Sequence, residues 1–166
     1  MNISLAQLSA FGWEVFRQAG LSQADAATAT DALLAADSWG IHTHGLKNLS
    51  GYVKRLKAGG INPLGQAWVA AEGPAWARVD GDASLGMIGS TFAMRQAIRK
   101  AEASGIGFAG LRNSCHFGAA GCYATLAADE GMIGIAMCND TPTVTVPGAR
   151  GPVLGSNPIA YAVPAG

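Results

Sequence analysis

A chain of 166 residues is long enough for one domain, and for burying about two thirds of the surface its unfolded form would expose. Its 11 Lys and Arg balance 11 Asp and Glu, which leaves no global field to draw it to phosphate backbones or anionic membranes and argues against a nucleic-acid partner. Only 13% of the residues are charged while 49% are apolar, more than a polar shell of this size hides, so an oligomer or a piece of something larger is expected.

No run of 18 or more apolar residues occurs, which excludes a helical membrane span. The opening MNISLAQLSAFGWEVF has no basic residue ahead of its apolar positions and so lacks the charged start of a signal peptide. The expected compartment is the cytoplasm, and an odd count of 3 cysteines suits reduced thiols better than a disulfide framework.

In chain order, Ser4 and Gln7 have capping-box spacing, and Leu5, Leu8, Val15 and Phe16 recur at near-helical intervals before Gly20. Ser22 and Asp25 open a second, alanine-rich helix that runs to Gly40. A third helix, roughly 45 to 58, carries Leu46, Leu49, Tyr52, Val53 and Leu56 on its apolar stripe and stops at Gly59-Gly60; its Lys54, Arg55 and Lys57 read as a solvated face. AWVAAE and AWARVD read as short strands, and the pattern returns to helix from Ser90 to Ser104. IGFAGLRN reads as a buried strand, GAAGCYATLAADEG as a helix ending at Gly131, and MIGIAMCN as another buried strand, an order that spells a βαβ unit. PVLGSNPIAYAVPAG has the alternation of a final strand. Two regions result: a helical segment, residues 1 to 60, and an α/β portion, residues 61 to 166.

Three motifs bear on chemistry. GIGFAG, residues 105 to 110, matches the dinucleotide fingerprint G-x-G-x-x-G in letters, but its glycines follow a helix and lead into a strand, the reverse of what a phosphate-cradling loop needs. NSCHFGAAG, residues 113 to 121, does lie after a strand and before a helix. Its Gly118, Ala119, Ala120 and Gly121 would let an anion approach free N–H groups at the helix start, or would merely let the helix pack tightly. In GIHTHG, residues 40 to 45, His42 and His44 could be imagined as zinc ligands, but no acid or cysteine stands at a ligand spacing nearby. His44 is better suited to proton transfer near neutral pH, with Thr43 beside it and Lys47 and Asn48 a turn further on, unless these are simply histidines on a polar loop. Cys115 could be a nucleophile at a helix start, but an adjacent His116 on an extended chain points to the other side.

The segments DSWGIHTHGLKNLSGYVKRLKAGGINP and GIGFAGLRNSCHFGAAGCYATLAADEGMIGIAMCND, followed by GSNPIAYAVP, resemble the malate/L-lactate dehydrogenase family of NAD(P)-dependent oxidoreductases over essentially the whole chain. The resemblance implies a three-layer α/β/α fold with a mixed sheet, distinct from the Rossmann fold, preceded by a helical segment. It also implies homodimers or larger assemblies, NAD or NADP as cofactor, and a small 2-hydroxy or 2-oxo acid or related molecule as substrate. By motif match, His44 is the expected proton donor, with Thr43 assisting, and His116 shares the acid/base role or contacts the cofactor. Phe117, Gly118, Ala119 and Ala120 fall where the nicotinamide nucleotide lies, and Asp140 and Ser156 fall near substrate.

Two departures stand out. Asn48 occupies a position where many members have arginine, and an amide replaces the two charged hydrogen bonds of a guanidinium with neutral ones. Either Lys47 supplies the charge, or the substrate is not a simple 2-hydroxy acid. Family members are also about twice as long, so an incomplete domain is expected. The alternative is a non-catalytic dimerising or regulatory module that keeps the fold.

Overall fold

The computed structural model describes residues 3–165. Helix α1 (Leu5–Gln18) starts on Ser4, whose side chain accepts from the Gln7 N–H while the Gln7 side chain accepts from the Ser4 N–H, the reciprocal pair its spacing predicts. Helix α2 (Gln23–Ser38) is capped by Ser22, which accepts from the Asp25 N–H. Between α2 and α3 (Leu49–Lys57) the chain makes two single turns of 3₁₀ helix, His42–His44 and Leu46–Asn48. The helix expected from residue 45 therefore begins four residues later.

Strands β1 (Trp68–Glu72) and β2 (Trp76–Asp80) form an antiparallel pair, and helix α4 (Gly86–Ser104) carries the chain to β3 (Phe108–Arg112), which pairs parallel with β2. Helix α5 (Gly121–Asp129) leads to β4 (Gly134–Met137), which pairs antiparallel with β5 (Ile159–Ala162). The architecture is a mixed α/β fold with both strand directions. The parallel crossover is β2–α4–β3. The one read from the sequence, through α5, is not formed, because β4 takes β5 as its partner and β3 takes β2. Gly105 ends α4 in the left-handed conformation, so GIGFAG closes a helix and opens β3, as the order of its neighbours required.

The main core joins both halves of the chain. Phe16, Leu21, Ala26, Ala29, Leu33, Leu49, Tyr52 and Leu56 from the helices pack with Ile61, Leu85 and Met87 from beyond them. This packing sets α3 and the loop ahead of α5 against a common centre. No described helix is long and apolar enough to cross a membrane.

Candidate active site

The turn carrying His44 is built around one carboxylate. Asp37, near the end of α2, accepts from the Leu46 N–H at 2.8 Å and meets His42 Nδ1 at 3.2 Å. Gly45 lies so close that a β-carbon there would run into that carboxylate, which explains a glycine directly after His44. His42 is thereby spent outward on Asp37, while Thr43 and His44 face the other way, with Thr43 Oγ1 3.0 Å from His44 Nδ1. Asn48 locks the turn by donating from Nδ2 to the Thr43 carbonyl at 2.7 Å.

The second half of the site is the loop between β3 and α5. The backbone of Cys115 and His116 lies against the start of α4 at Gly86, where a β-carbon would collide with both carbonyls. Cys115 turns inward, its Sγ 3.7 Å from the Ser84 carbonyl, and burial pushes its thiol pKa up, so it is protonated and a weak nucleophile at neutral pH. His116 turns the opposite way.

These two halves meet. The rings of His44 and His116 stack with centroids 5.6 Å apart and planes 21° from parallel. Tyr52, its ring buried in the main core beside Phe16, reaches out to His116 with its hydroxyl 2.6 Å from Nδ1. Burial raises the Tyr52 pKa to about 12, with smaller and opposed contributions from Cys115 and Arg55, so the group is a neutral phenol. A neutral phenol donates, and the Gly118 N–H also points at Nδ1, at 3.4 Å. Nδ1 of His116 is therefore the acceptor and Nε2 carries the proton, a tautomer assigned from these partners. Desolvation lowers the His116 pKa below its ordinary 6.5; His44 and Arg55 lower it further, and Asp140 opposes them. His116 is neutral at pH 7.

A cavity of about 270 Å³ opens beside this pair, walled by Thr43, Asn48, Gly51, Tyr52, Arg55 and His116. Of the residues singled out in the sequence, Thr43, Asn48 and His116 line it and His44 stacks on its wall. Lys47 is on the far side of its turn, in a separate groove with Phe11, Val15 and Lys54, so the cation on the cavity wall is Arg55. Asp140 and Ser156 sit on exposed loops flanking β4 and β5 and pair with each other, Ser156 Oγ donating to Asp140 Oδ2 at 3.0 Å. That bond, with the Thr141 N–H, holds the Asp140 carboxyl below the usual range, and its charge reaches His116 without the side chain lining the cavity.

Phe117 stacks on Tyr123 at 5.1 Å, and the Tyr123 hydroxyl donates to the Phe117 carbonyl, which fixes the segment ahead of α5. Gly118, Ala119 and Ala120 are buried and precede the helix rather than opening it, and no side chain caps the helix at Ala120.

Besides Gly51, which has no side chain to offer, two cavity residues escaped the sequence reading. Tyr52 looked like one more apolar-stripe residue and Arg55 like part of a solvated face. The available signal was spacing: positions 48, 52 and 55 recur at i, i+4 and i+7 on one face of α3, and a buried tyrosine needs a partner for its hydroxyl.

The malate/L-lactate dehydrogenase family model matches residues 3–166. The chain belongs to that family. It is 43% identical to a malate dehydrogenase of Pyrococcus abyssi over 99% of its own length and 45% of that protein's. It is 35% identical to an Escherichia coli ureidoglycolate dehydrogenase (NAD(+)) over 89% of its length and 42% of that protein's. The solved malate dehydrogenase of Pyrococcus horikoshii superposes with a TM-score of 0.95 at 41% identity, covering 99% of this chain and 47% of that one. This family member thus spans less than half the length of each of these three relatives.

Proposed function

We propose that this chain carries the acid/base side of an NAD(P)-dependent oxidoreductase that interconverts a small 2-hydroxy acid and its 2-oxo partner. The single observation that carries the reading is the stacked His44–His116 pair beside a polar cavity, held by a tyrosine hydroxyl on one ring and a threonine hydroxyl on the other. Membership of the family and the dehydrogenase names of its relatives support it.

The residues present fit a nicotinamide nucleotide. The start of α5 has no side-chain cap, and its positive helix end would suit an anion. In this reading Phe117, Gly118, Ala119 and Ala120 hold the nucleotide, and His116 orients its reactive end through Nε2–H. When bound, the nicotinamide supplies or accepts the hydride.

The chain's own residues move the proton. Two imidazoles in stacking contact do not both carry charge readily, and His116 is the member biased to the neutral form, by partial desolvation and by its two donors. The mobile proton therefore belongs to His44, which gives it to the substrate oxygen in reduction and takes it back in oxidation. Thr43 fixes the His44 ring through Nδ1 and leaves Nε2 for the substrate. Asn48 holds the turn from the cavity wall, while Asp140, paired with Ser156, acts from outside the cavity through its charge on His116. Lys47 faces another groove and is left out of this assignment. On this division, residues 1 to 60 supply the acid/base side and residues 61 to 166 the nucleotide side. A cytoplasmic homodimer or larger homo-oligomer is the expected setting.

Titrating the protein with NADH and NADPH by calorimetry, and assaying oxidation of L-malate, tests the reading. Saturable heat with one dinucleotide is expected, and His44→Ala should retain that heat while turnover falls by about 10²–10⁴-fold. Wild-type turnover in His44→Ala would refute the proton assignment. No saturable heat with either dinucleotide would favour a non-catalytic module.

A further inference from the structure

We propose that Arg55 makes the histidine cavity a carboxylate-binding site, its guanidinium gripping the carboxylate of a small anionic substrate. The inference rests on the cavity being the substrate pocket and adds the residue that selects the charge. Thr43, Asn48, Gly51, Tyr52, Arg55 and His116 form the wall, and none of them is acidic. Arg55 is the one full cation on it.

That cation is uncommitted. Among the described residues the ion pairs are His42 with Asp37, Lys100 with Glu72 and Arg112 with Asp80, so none of their carboxylates is in an ion pair with Arg55. An arginine facing a pocket with no internal partner is a preformed site for an external anion, because its planar fork offers two parallel charged hydrogen bonds to a carboxylate. The neighbouring amide is the weaker partner, since one N–H of Asn48 Nδ2 is already bound to the Thr43 carbonyl at 2.7 Å and the other would offer only a neutral hydrogen bond. Gly51, between Asn48 and Arg55 along α3, has nothing within 4 Å of where a β-carbon would stand, so the approach to Arg55 is open. The field of Arg55 is also felt inside the site, where it lowers the pKa values of both His116 and Tyr52. A carboxylate seated on Arg55 and a hydroxyl or keto oxygen turned to the histidine pair describe the ends of a small 2-hydroxy or 2-oxo acid.

The test follows the histidine ring signals of the 166-residue protein by ¹H–¹³C NMR while malonate is added, with malonamide as the uncharged probe of the same shape. Malonate should shift the His44 and His116 signals saturably, and malonamide should not. Arg55→Gln should weaken malonate about tenfold or more, Arg55→Lys should recover only part of the affinity, and Lys54→Gln, in the separate groove, should bind as the wild type does. Arg55 is exposed, and near-UV circular dichroism of each variant checks that the fold is kept. If Arg55→Gln binds malonate with wild-type affinity while the histidines still shift, the Arg55 assignment falls and the pocket stands. If malonate leaves both histidines unmoved in the wild type, or if malonamide binds equally well, the pocket is not a carboxylate site and the proposal falls with the broader reading.

Discussion

Because the Tyr52 phenol stays protonated through the neutral range, its hydroxyl is a fixed donor to His116 Nδ1, and it favours the neutral imidazole over the charged one. Removing that donor should raise the His116 pKa, even though burial, His44 and Arg55 continue to hold it down and Asp140 continues to oppose them. NMR titration should therefore find His116 below 6.5 in the wild type and higher in Tyr52→Phe. The sign for stability follows. With a depressed value in the fold, the unfolded chain binds the proton more readily, so this contribution is complete above about pH 6.5 and is lost as pH falls through the folded value. Urea midpoints measured from pH 7.5 down to 5 should fall, and the fall should be shallower in Tyr52→Phe.

Elements whose ends are set by local chemistry were legible, and those whose ends are set by packing were not. The caps of α1 and α2 rest on Ser4 and Ser22, side chains that satisfy orphan N–H groups within three residues of themselves. Helix α4 has no such cap; it starts at Gly86, earlier than the Ser90 read from the pattern, because Gly86 and Met87 pack beneath the His116 loop. An Ala at position 86 should test this. Alanine would gain about 1 kcal/mol of helix propensity over glycine, yet its β-carbon would collide with the Cys115 and His116 carbonyls. Steric conflict with backbone should win: Gly86→Ala is expected to lower the melting temperature and to shift the His116 ring signals, while Gly51→Ala, with open space around it, should not destabilise.

At the scale of the whole molecule, β4 and β5 put small residues inward and large ones outward. Gly134, Ala136, Ala160 and Ala162 share the α5 side, and the register sets Ile135 beside Tyr161 and Met137 beside Ile159 on the outer face, where Tyr161 is 80% exposed. With Val144, Val153, Leu154 and Val163 also exposed, this is an apolar surface of the kind that contacts other polypeptide. The protein should bind the dye ANS in its folded state, and Met137→Glu with Tyr161→Glu should reduce that fluorescence without lowering the unfolding free energy from urea titration by more than about 0.5 kcal/mol. Unchanged dye binding would mean that the bound surface lies elsewhere. This face is one of several exposed apolar areas in a chain of which only 13% is charged.

By itself the sequence determined the helical start, the α/β character, the false fingerprint at GIGFAG and the two histidine motifs, because capping, periodicity and glycine position act over a few residues. Only the tertiary structure decided which strands pair, that Tyr52 and Arg55 share a cavity wall with His116, and that Lys47 lines a different groove. Those outcomes depend on which surfaces meet when α3 and the His116 loop close on a shared core, and local spacing cannot say which side of a turn will face a neighbour distant in the chain.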